Sequence, residues 1–192
     1  YLKGSQHFYN QIVSKREAVE KTFRQLLEVD VELGSNLATS GTPHRLATQW
    51  QEITEKAFDR EAAHTFRLYS QLIADVIEMM DTIGRTGRLI QDSDPGNSYL
   101  INSLLYTLPS QIEALGVLRG KGSGILASGL LTEDNKLLVT SLADKRDSLK
   151  LKKDIEYLFL ASPEMRQTLQ SPYSEAIEKL KLFLDLADRE IV

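Results

Sequence analysis

The stretch LGVLRGKGSGILASG, residues 115–129, combines five glycines with two basic residues. Such a loop cradles phosphate in P-loop proteins, where GxxxxGK is followed by Ser or Thr because the backbone forms an anion nest and the hydroxyl holds magnesium. Here Gly116 precedes Gly120 by four positions rather than five, and Gly122 follows Lys121. The residues before the stretch are typical of a helix and not of a strand. The sequence therefore predicts no nucleotide site and no other cofactor.

Helical spacing explains the glycines better. In a helix, Gly116, Gly120, Gly124 and Ala127 fall on one face, at steps of four, four and three. Glycine in a helix interior costs about 0.5–1 kcal/mol relative to alanine, so several in succession indicate that a close approach offsets this loss. The spacing predicts tight packing of a partner helix along this face, with a ligand cavity as the alternative.

Two segments rich in Arg and Gly make an anion the best candidate ligand. Arg119 lies in the glycine stretch, and Arg85 and Arg88 lie in IGRTGRLIQD. Arginine inside a helical bundle needs an ionic partner or an anionic ligand. A solvated side chain is the commoner role for any one of the three.

Polar side chains on one helical face extend this candidate site. Tyr99, Asn102 and Tyr106 are spaced by three and four in NSYLINSLLYTLP, between apolar neighbours. They are either ligand donors or interface residues whose hydroxyls reach water. The predicted ligand-binding residues are Arg85, Arg88, Tyr99, Asn102, Tyr106, Arg119 and Ser123.

Catalytic and metal-binding patterns are thin. Without cysteine there is no thiol nucleophile, thiolate metal site or disulfide. His7, His44 and His64 are far apart, and Asp92 and Asp94 are predicted to shape the DSDPGN turn rather than to catalyse. A net charge of −4 with interspersed signs gives no basic face for nucleic acid. We therefore expect no enzyme, no metal and no nucleic-acid partner.

Apolar residues recur at helical spacing along nearly the whole chain, and turn-forming residues divide it into helices. The predicted helices cover roughly 5–39, 43–57, 59–92, 98–127, 132–161 and 172–190. Helix starts are clearest at Thr132, Ser162 and Ser171, where a capping hydroxyl precedes an acid or a proline. The prediction is an all-α single domain, residues 1–192. It forms an elongated up-down antiparallel bundle of about six helices, four of them long, or two stacked four-helix bundles.

Pro109 lies inside the helical pattern LLYTLPSQIEAL. Proline removes a backbone hydrogen bond and disfavours helical geometry at the preceding residue. Either the helix bends to follow the bundle, which we favour, or its backbone opens locally beside a cavity.

Neither membrane spans nor a leader peptide can be identified. The chain has no run of eighteen or more apolar residues and no signal peptide. It begins without Met and ends in mid-periodicity at KLKLFLDLADREIV. We expect a fragment of a longer polypeptide whose helices continue past both termini.

The run from EAAHTF through LIQDSDPGNSYLINSLLYTLPSQIEALGVLRGKGSGIL to TEDNKLLVTSL resembles the helical extracytoplasmic sensor regions of bacterial transmembrane receptors. The resemblance covers roughly residues 60–170. It departs at Gly96, Asn97 and Asn102, where acids are common. LRGKGSG is also slightly similar to helical nitrate and nitrite sensing modules. The positions that match the sensor motifs are Asp94, Pro95, Ser98, Tyr99, Leu100, Leu108, Pro109, Leu118, Arg119, Gly122 and Leu126.

Receptors with such regions include sensor histidine kinases, chemoreceptors and diguanylate cyclases. The resemblance implies a homodimeric, non-catalytic ligand-sensing domain between two membrane spans, on the periplasmic side of the inner membrane. A histidine kinase of a two-component system, which signals by shifting one helix against another, is the preferred type. The alternatives are the sensor of a chemoreceptor or a cyclase, a module that docks a periplasmic binding protein, and an intracellular helical scaffold.

Overall fold

The computed structural model describes residues 2–91, 94–142 and 146–191. Within these ranges every regular element is a helix and none is a strand, which confirms the predicted all-α class. The helical bundle divides into two compact units, Tyr1–Gly87 and Arg88–Val192. The division falls where the glycine-containing IGRTG segment interrupts the apolar pattern.

The first unit consists of α1 (Leu2–Leu33), α2 (Thr42–Glu55) and α3 (Ala62–Thr86). Each lies within a predicted helix, apart from a few residues at its ends. The largest differences are at the end of α1, where the chain leaves the helix at Gly34, and at the end of α3, which is also six residues shorter than predicted.

The core of the first unit lies between α2 and α3. Leu46 and Ile53 of α2, and Leu72 and Met79 of α3, are all buried. Each pair is separated by seven residues, and two helical turns place such residues on the same face. Trp50 of α2 extends this core, with its ring 6.5 Å from the Phe23 ring of α1 and 5.8 Å from the Tyr69 ring of α3.

Asp30 organises the turn between α1 and α2. Its carboxylate accepts hydrogen bonds from the Thr39 hydroxyl at 2.8 Å and from the Gly41 N–H at 3.0 Å. Gly41 has a φ of 77°, a left-handed conformation that glycine adopts without a Cβ clash. The turn therefore delivers the chain directly to the start of α2.

After a short 3-10 helix (Leu89–Gln91), the second unit continues with a long unbroken helix whose interior changes geometry. It consists of α4 (Pro95–Asn102), a π-helical turn (Ser103–Thr107) and α5 (Leu108–Ser128). The predicted helix over 98–127 is confirmed. At Pro109 the helix changes its hydrogen-bonding pattern, because a π-helical turn lies immediately before Leu108.

Three further helices complete the second unit. They are α6 (Glu133–Leu142), α7 (Arg146–Ala161) and α8 (Pro163–Ile191). The prediction of one helix over 132–161 agrees with the described residues on both sides of 143–145, which are helical over Glu133–Leu142 and Arg146–Ala161. Those three residues lie outside the described ranges.

Helices α6 and α7 pack against different partners. Val139 of α6 is fully buried with Leu118 of α5 and Ala187 of α8. Leu151 and Leu158 of α7 instead pack in a second cluster with residues of α4. The apolar faces of α6 and α7 therefore belong to two different cores.

Side-chain caps start three of the helical segments. Thr132 Oγ1 and Ser162 Oγ accept hydrogen bonds from the N–H groups three residues further on, at 3.2 and 3.4 Å. Asp94 Oδ1 accepts one from the N–H two residues further on, at 2.7 Å. The starts predicted at Thr132 and Ser162 are confirmed, as is the turn-shaping role of Asp94. Asp92 lies outside the described residues.

The helix start predicted at Ser171 is wrong. Helix α8 begins at Pro163 and continues through Pro172. An interior proline costs a helix about 3 kcal/mol. Leu169 and Tyr173, which flank this position, are partly buried against the α7 core, and this burial offsets part of that cost.

Across the described helices, none is both long enough and apolar enough to cross a lipid bilayer.

The first unit's core can be tested with Leu46, which is 0% exposed. We expect Leu46→Ala to lower the free energy of unfolding by about 2–5 kcal/mol, because it removes buried methyl groups and leaves a cavity. Leu33→Ala, at a residue 44% exposed, is the matched control and should change stability by less than about 0.5 kcal/mol. Urea denaturation followed by circular dichroism measures both. Equal losses in the two variants would contradict the assigned core.

Candidate functional site

A single carboxylate ties the two ends of the π-helical turn to α7. Asp154 Oδ2 accepts a hydrogen bond from Asn102 Nδ2 at 2.8 Å and another from Thr107 Oγ1 at 3.3 Å. Asn102 is the last residue of α4, and Thr107 is the last residue of the turn. The carboxylate therefore holds residues five positions apart with one oxygen atom.

Polar side chains continue from this contact into the interior. Ser103, Thr107 and Gln111 are 1%, 5% and 8% exposed, and they recur at steps of four along the same helix. Ser103 Oγ and Gln111 Nε2 have no hydrogen-bond partner among the described residues. An unsatisfied buried polar atom costs about 1–3 kcal/mol, so this polar row is held at an energetic cost. Asn102, Ser103, Thr107, Gln111 and Asp154 are called the polar cluster below.

Tyrosine side chains border the polar cluster. The ring of Tyr99 stacks on that of Tyr157 of α7, with centroids 5.2 Å apart and planes inclined by 20°. Tyr106, within the π-helical turn, is half-buried. The structure thus places Tyr99 and Asn102 at the contact with α7, where aromatic packing and hydrogen bonding already use them.

A groove between α5 and α8 is the second candidate site in this unit. It has a volume of about 260 Å³ and a largely apolar wall. Of the seven predicted ligand-binding residues, it contains Arg119 and Ser123. Its lining residues are Leu118, Arg119, Gly122, Ser123, Leu126, Phe183, Leu186 and Ala187.

Arg119 is the only charged residue in this lining. Its guanidinium has no ion-pair or hydrogen-bond partner in the part of the chain that the structure describes, and the side chain is exposed. Ser123 lies one helical turn further along α5 and adds a hydroxyl to the same wall. The groove can therefore offer an apolar surface, one positive charge and one hydroxyl to a small molecule.

The glycine stripe does not pack as the sequence predicted. Gly120 and Gly124 are exposed, and a Cβ built on Gly124 would meet nothing within 4 Å. The buried face of α5 carries Leu118, Gly122 and Ile125 instead. Leu118 and Ile125 gain more from burial than glycine does, so their face turns towards the core and the stripe turns outwards.

The other two predicted arginines lie outside the groove. Arg85, at the end of α3, pairs with Asp81 at 2.8 Å and belongs to the first unit. Arg88 is exposed and adopts a φ of 52°, a left-handed conformation uncommon for residues other than glycine. Neither arginine joins Arg119 in the described groove.

The first unit has a polar pocket of about 170 Å³ beside Arg45 and Asp75. Hydrogen bonds from Gln71, at 2.8 Å, and from Arg45, at 2.9 Å, lower the pKa of the Asp75 carboxyl. Arg45 is already paired with Asp75, and Glu78 adds a second carboxylate to the lining. The pocket is therefore a weaker candidate than the groove that contains Arg119.

Sequence reasoning missed Asp154 and Gln111. Asp154 lies among Leu151, Ile155 and Leu158, which form the buried face of α7 at helical spacing. A charged residue within such a face was the available signal, because a buried charge needs a partner. Gln111 interrupts the buried face of α5 in the same way.

In the described ranges, no group of three or more His, Cys, Asp or Glu side chains could hold a metal ion. Comparisons with protein-family models, with curated proteins and with solved structures found no match to this chain.

The Ser103 hydroxyl provides a test of the polar cluster. We expect Ser103→Ala to raise the free energy of unfolding by about 1 kcal/mol, since it removes a buried group that lacks a protein partner. Thr107→Val should lower it by about 1 kcal/mol, because it removes the hydrogen bond to Asp154. Thermal and urea denaturation measure both variants. A loss of stability in Ser103→Ala would show that the hydroxyl has a partner, such as a buried water.

Proposed function

We propose that the chain is the extracytoplasmic ligand-sensing domain of a bacterial transmembrane receptor, of the sensor histidine kinase type. The single observation that carries the proposal is the unpaired Arg119 guanidinium on the wall of an apolar groove between α5 and α8. A soluble molecule with a negative charge and an apolar body complements such a wall. The all-α fold and the sensor-like motifs from Asp94 to Leu126 support the same proposal.

The groove favours a small carboxylate over a bulky or purely polar anion. Arginine binds carboxylates through a planar pair of N–H donors, and the Ser123 hydroxyl can donate to the same oxygen atoms. Phe183 and Leu186 of α8 supply surface for an apolar body. A volume of about 260 Å³ limits the ligand to a compact molecule.

Ligand binding in this groove would act on the contact between α5 and α8. Both helices line it, so a ligand that touches both stabilises one arrangement of the pair over another. Occupancy can only shift such an equilibrium by the difference in affinity for the two arrangements. In the proposed receptor, a shift of α8 would carry the signal, and a chemoreceptor or a diguanylate cyclase could use the same domain.

Arg119 is tested with benzoate, which has a compact apolar body and one carboxylate, and with its neutral counterpart benzamide. We expect benzoate to bind with at least tenfold higher affinity than benzamide. Arg119→Gln should abolish this difference, because the charge-assisted hydrogen bonds contribute about 1.5–3 kcal/mol. Isothermal titration calorimetry measures all four affinities.

Lys121→Gln is the matched control, because Lys121 is a basic residue of α5 outside the groove lining. Its benzoate affinity should remain within twofold of the wild-type value. If Arg119→Gln binds benzoate as tightly as the wild type, or if benzoate and benzamide bind equally, the proposed anion site is wrong.

The receptor assignment predicts the gene sequence around this domain. We expect an apolar segment of about 20 residues before Tyr1 and another after Val192, because a helix of that length crosses the bilayer. A histidine kinase core should follow the second segment. Sequencing the surrounding reading frame checks this, and an open reading frame without either segment would contradict a transmembrane receptor.

A further inference from the structure

We propose that Asp154 is a latch that holds the α4–α5 helix in its π-helical register, and that releasing it rearranges the groove on α5. The inference rests on the proposed function for its regulatory meaning. Its structural part stands on the polar cluster alone. The latch would make α7 a control element for ligand binding between α5 and α8.

The two hydrogen bonds to Asp154 select the π-helical turn by geometry. In an α-helix, residues five apart are rotated by about 140° around the axis, so their side chains point to different faces. In a π-helix, with about 4.4 residues per turn, they differ by only about 50°. Asn102 and Thr107 are five apart, and both donate to Asp154 Oδ2. One carboxylate oxygen reaches both donors because the turn between them is wide.

The backbone around Pro109 lowers the cost of this register. The Leu108 N–H donates to the Ser103 carbonyl, five residues back, as the π-helical pattern requires. Pro109 has no N–H to give in either register, and in an α-helix its ring would clash with the carbonyl of Leu105. The wider turn avoids that clash, so proline and aspartate favour the same arrangement.

Unsatisfied polar atoms destabilise the π-helical state and so reduce the free-energy difference between it and an α-helical register. Ser103 Oγ and Gln111 Nε2 are buried without a partner among the described residues, on the same helix that Asp154 holds. Desolvated groups of this kind raise the free energy of the state that buries them. Without the two hydrogen bonds to Asp154, nothing offsets this penalty, and the free energy of the π-helical state rises relative to the α-helical state.

A change of register would reach the groove directly. Converting the π-helical turn to an α-helical one rotates the helix after it by about 100° relative to the helix before it, which is one residue of α-helix. Arg119 and Ser123 lie on α5, after the turn, whereas Tyr99 lies before it and stacks on α7. With α4 held against α7, the rotation moves Arg119 away from α8.

The absence of cysteine allows a direct test of the register. Cysteines replacing Asn97 in α4 and Ile112 in α5 would each carry a nitroxide label, since both positions are exposed. Double electron–electron resonance then measures the distance across the turn without any ligand. In Asp154→Ala we expect the main distance to change by several ångströms. In Asp154→Asn it should stay at the wild-type value, because the amide oxygen still accepts both hydrogen bonds.

Glu156→Gln is the matched control, because it removes an exposed carboxylate from the same helix and should leave the distance unchanged. The double variant Asn102→Ala with Thr107→Val removes both donors and keeps Asp154, so it should show the same change in distance as Asp154→Ala. It also replaces Asp154→Ala in the test if that variant fails to fold. Pro109→Ala should shift part of the distance distribution in the same direction. Wild-type distances in both Asp154→Ala and the double variant would overturn the latch.

Benzoate affinity measures the coupling to the groove. We expect Asp154→Ala to bind benzoate at least tenfold more weakly than Asp154→Asn. Equal affinities together with a changed distance would overturn the coupling. If benzoate does not bind the wild-type protein, the proposed function fails, while the label distances still decide whether the latch exists.

Discussion

One carboxylate oxygen constrains the helix on which the candidate site lies. Asp154 Oδ2 accepts hydrogen bonds from Asn102 and Thr107 and thereby bridges a π-helical turn. That turn fixes the rotation of α5 relative to α4. The rotation in turn decides which α5 side chains face the core and which face the groove with α8. Leu118 and Arg119, neighbours in sequence, consequently have opposite environments, one buried and one exposed.

The unit around this contact has two separate apolar cores. Leu118, Ile125 and Val139 belong to the cluster that α8 completes, and Leu151 with Leu158 belongs to the cluster beside α4. Four of the five residues of the polar cluster lie on the α4–α5 helix, which supplies side chains to both cores. A local rearrangement there can therefore alter how α5 packs without dismantling the α7 core. This division is the physical basis on which a ligand groove and a distant helix contact could be coupled.

Capping residues correctly predicted the helix starts at Thr132 and Ser162 but not the one at Ser171. Thr132 and Ser162 cap helices because their hydroxyls satisfy N–H groups that a first turn leaves free. Ser171, followed by Pro172, has the same local pattern but lies inside α8. The difference comes from packing, since Leu169 and Tyr173 are held against α7. Packing also explains why the glycine stripe is exposed although the sequence predicted a helix contact there. Residue spacing identifies a helix face but does not identify what lies opposite it.

The sequence by itself determined the all-α class, most helix boundaries, and Arg119 with Ser123 as neighbours on one helix, because these follow from periodicity, capping and turn chemistry within a few residues. Tertiary structure decided that the glycine stripe of α5 faces outwards, that α8 continues through Pro172, and that Asp154 bridges Asn102 and Thr107. The last contact joins residues about fifty positions apart, so no pattern within a few residues could reveal that Asp154 and Pro109 together favour a π-helical turn over the regular α-helical hydrogen bonds.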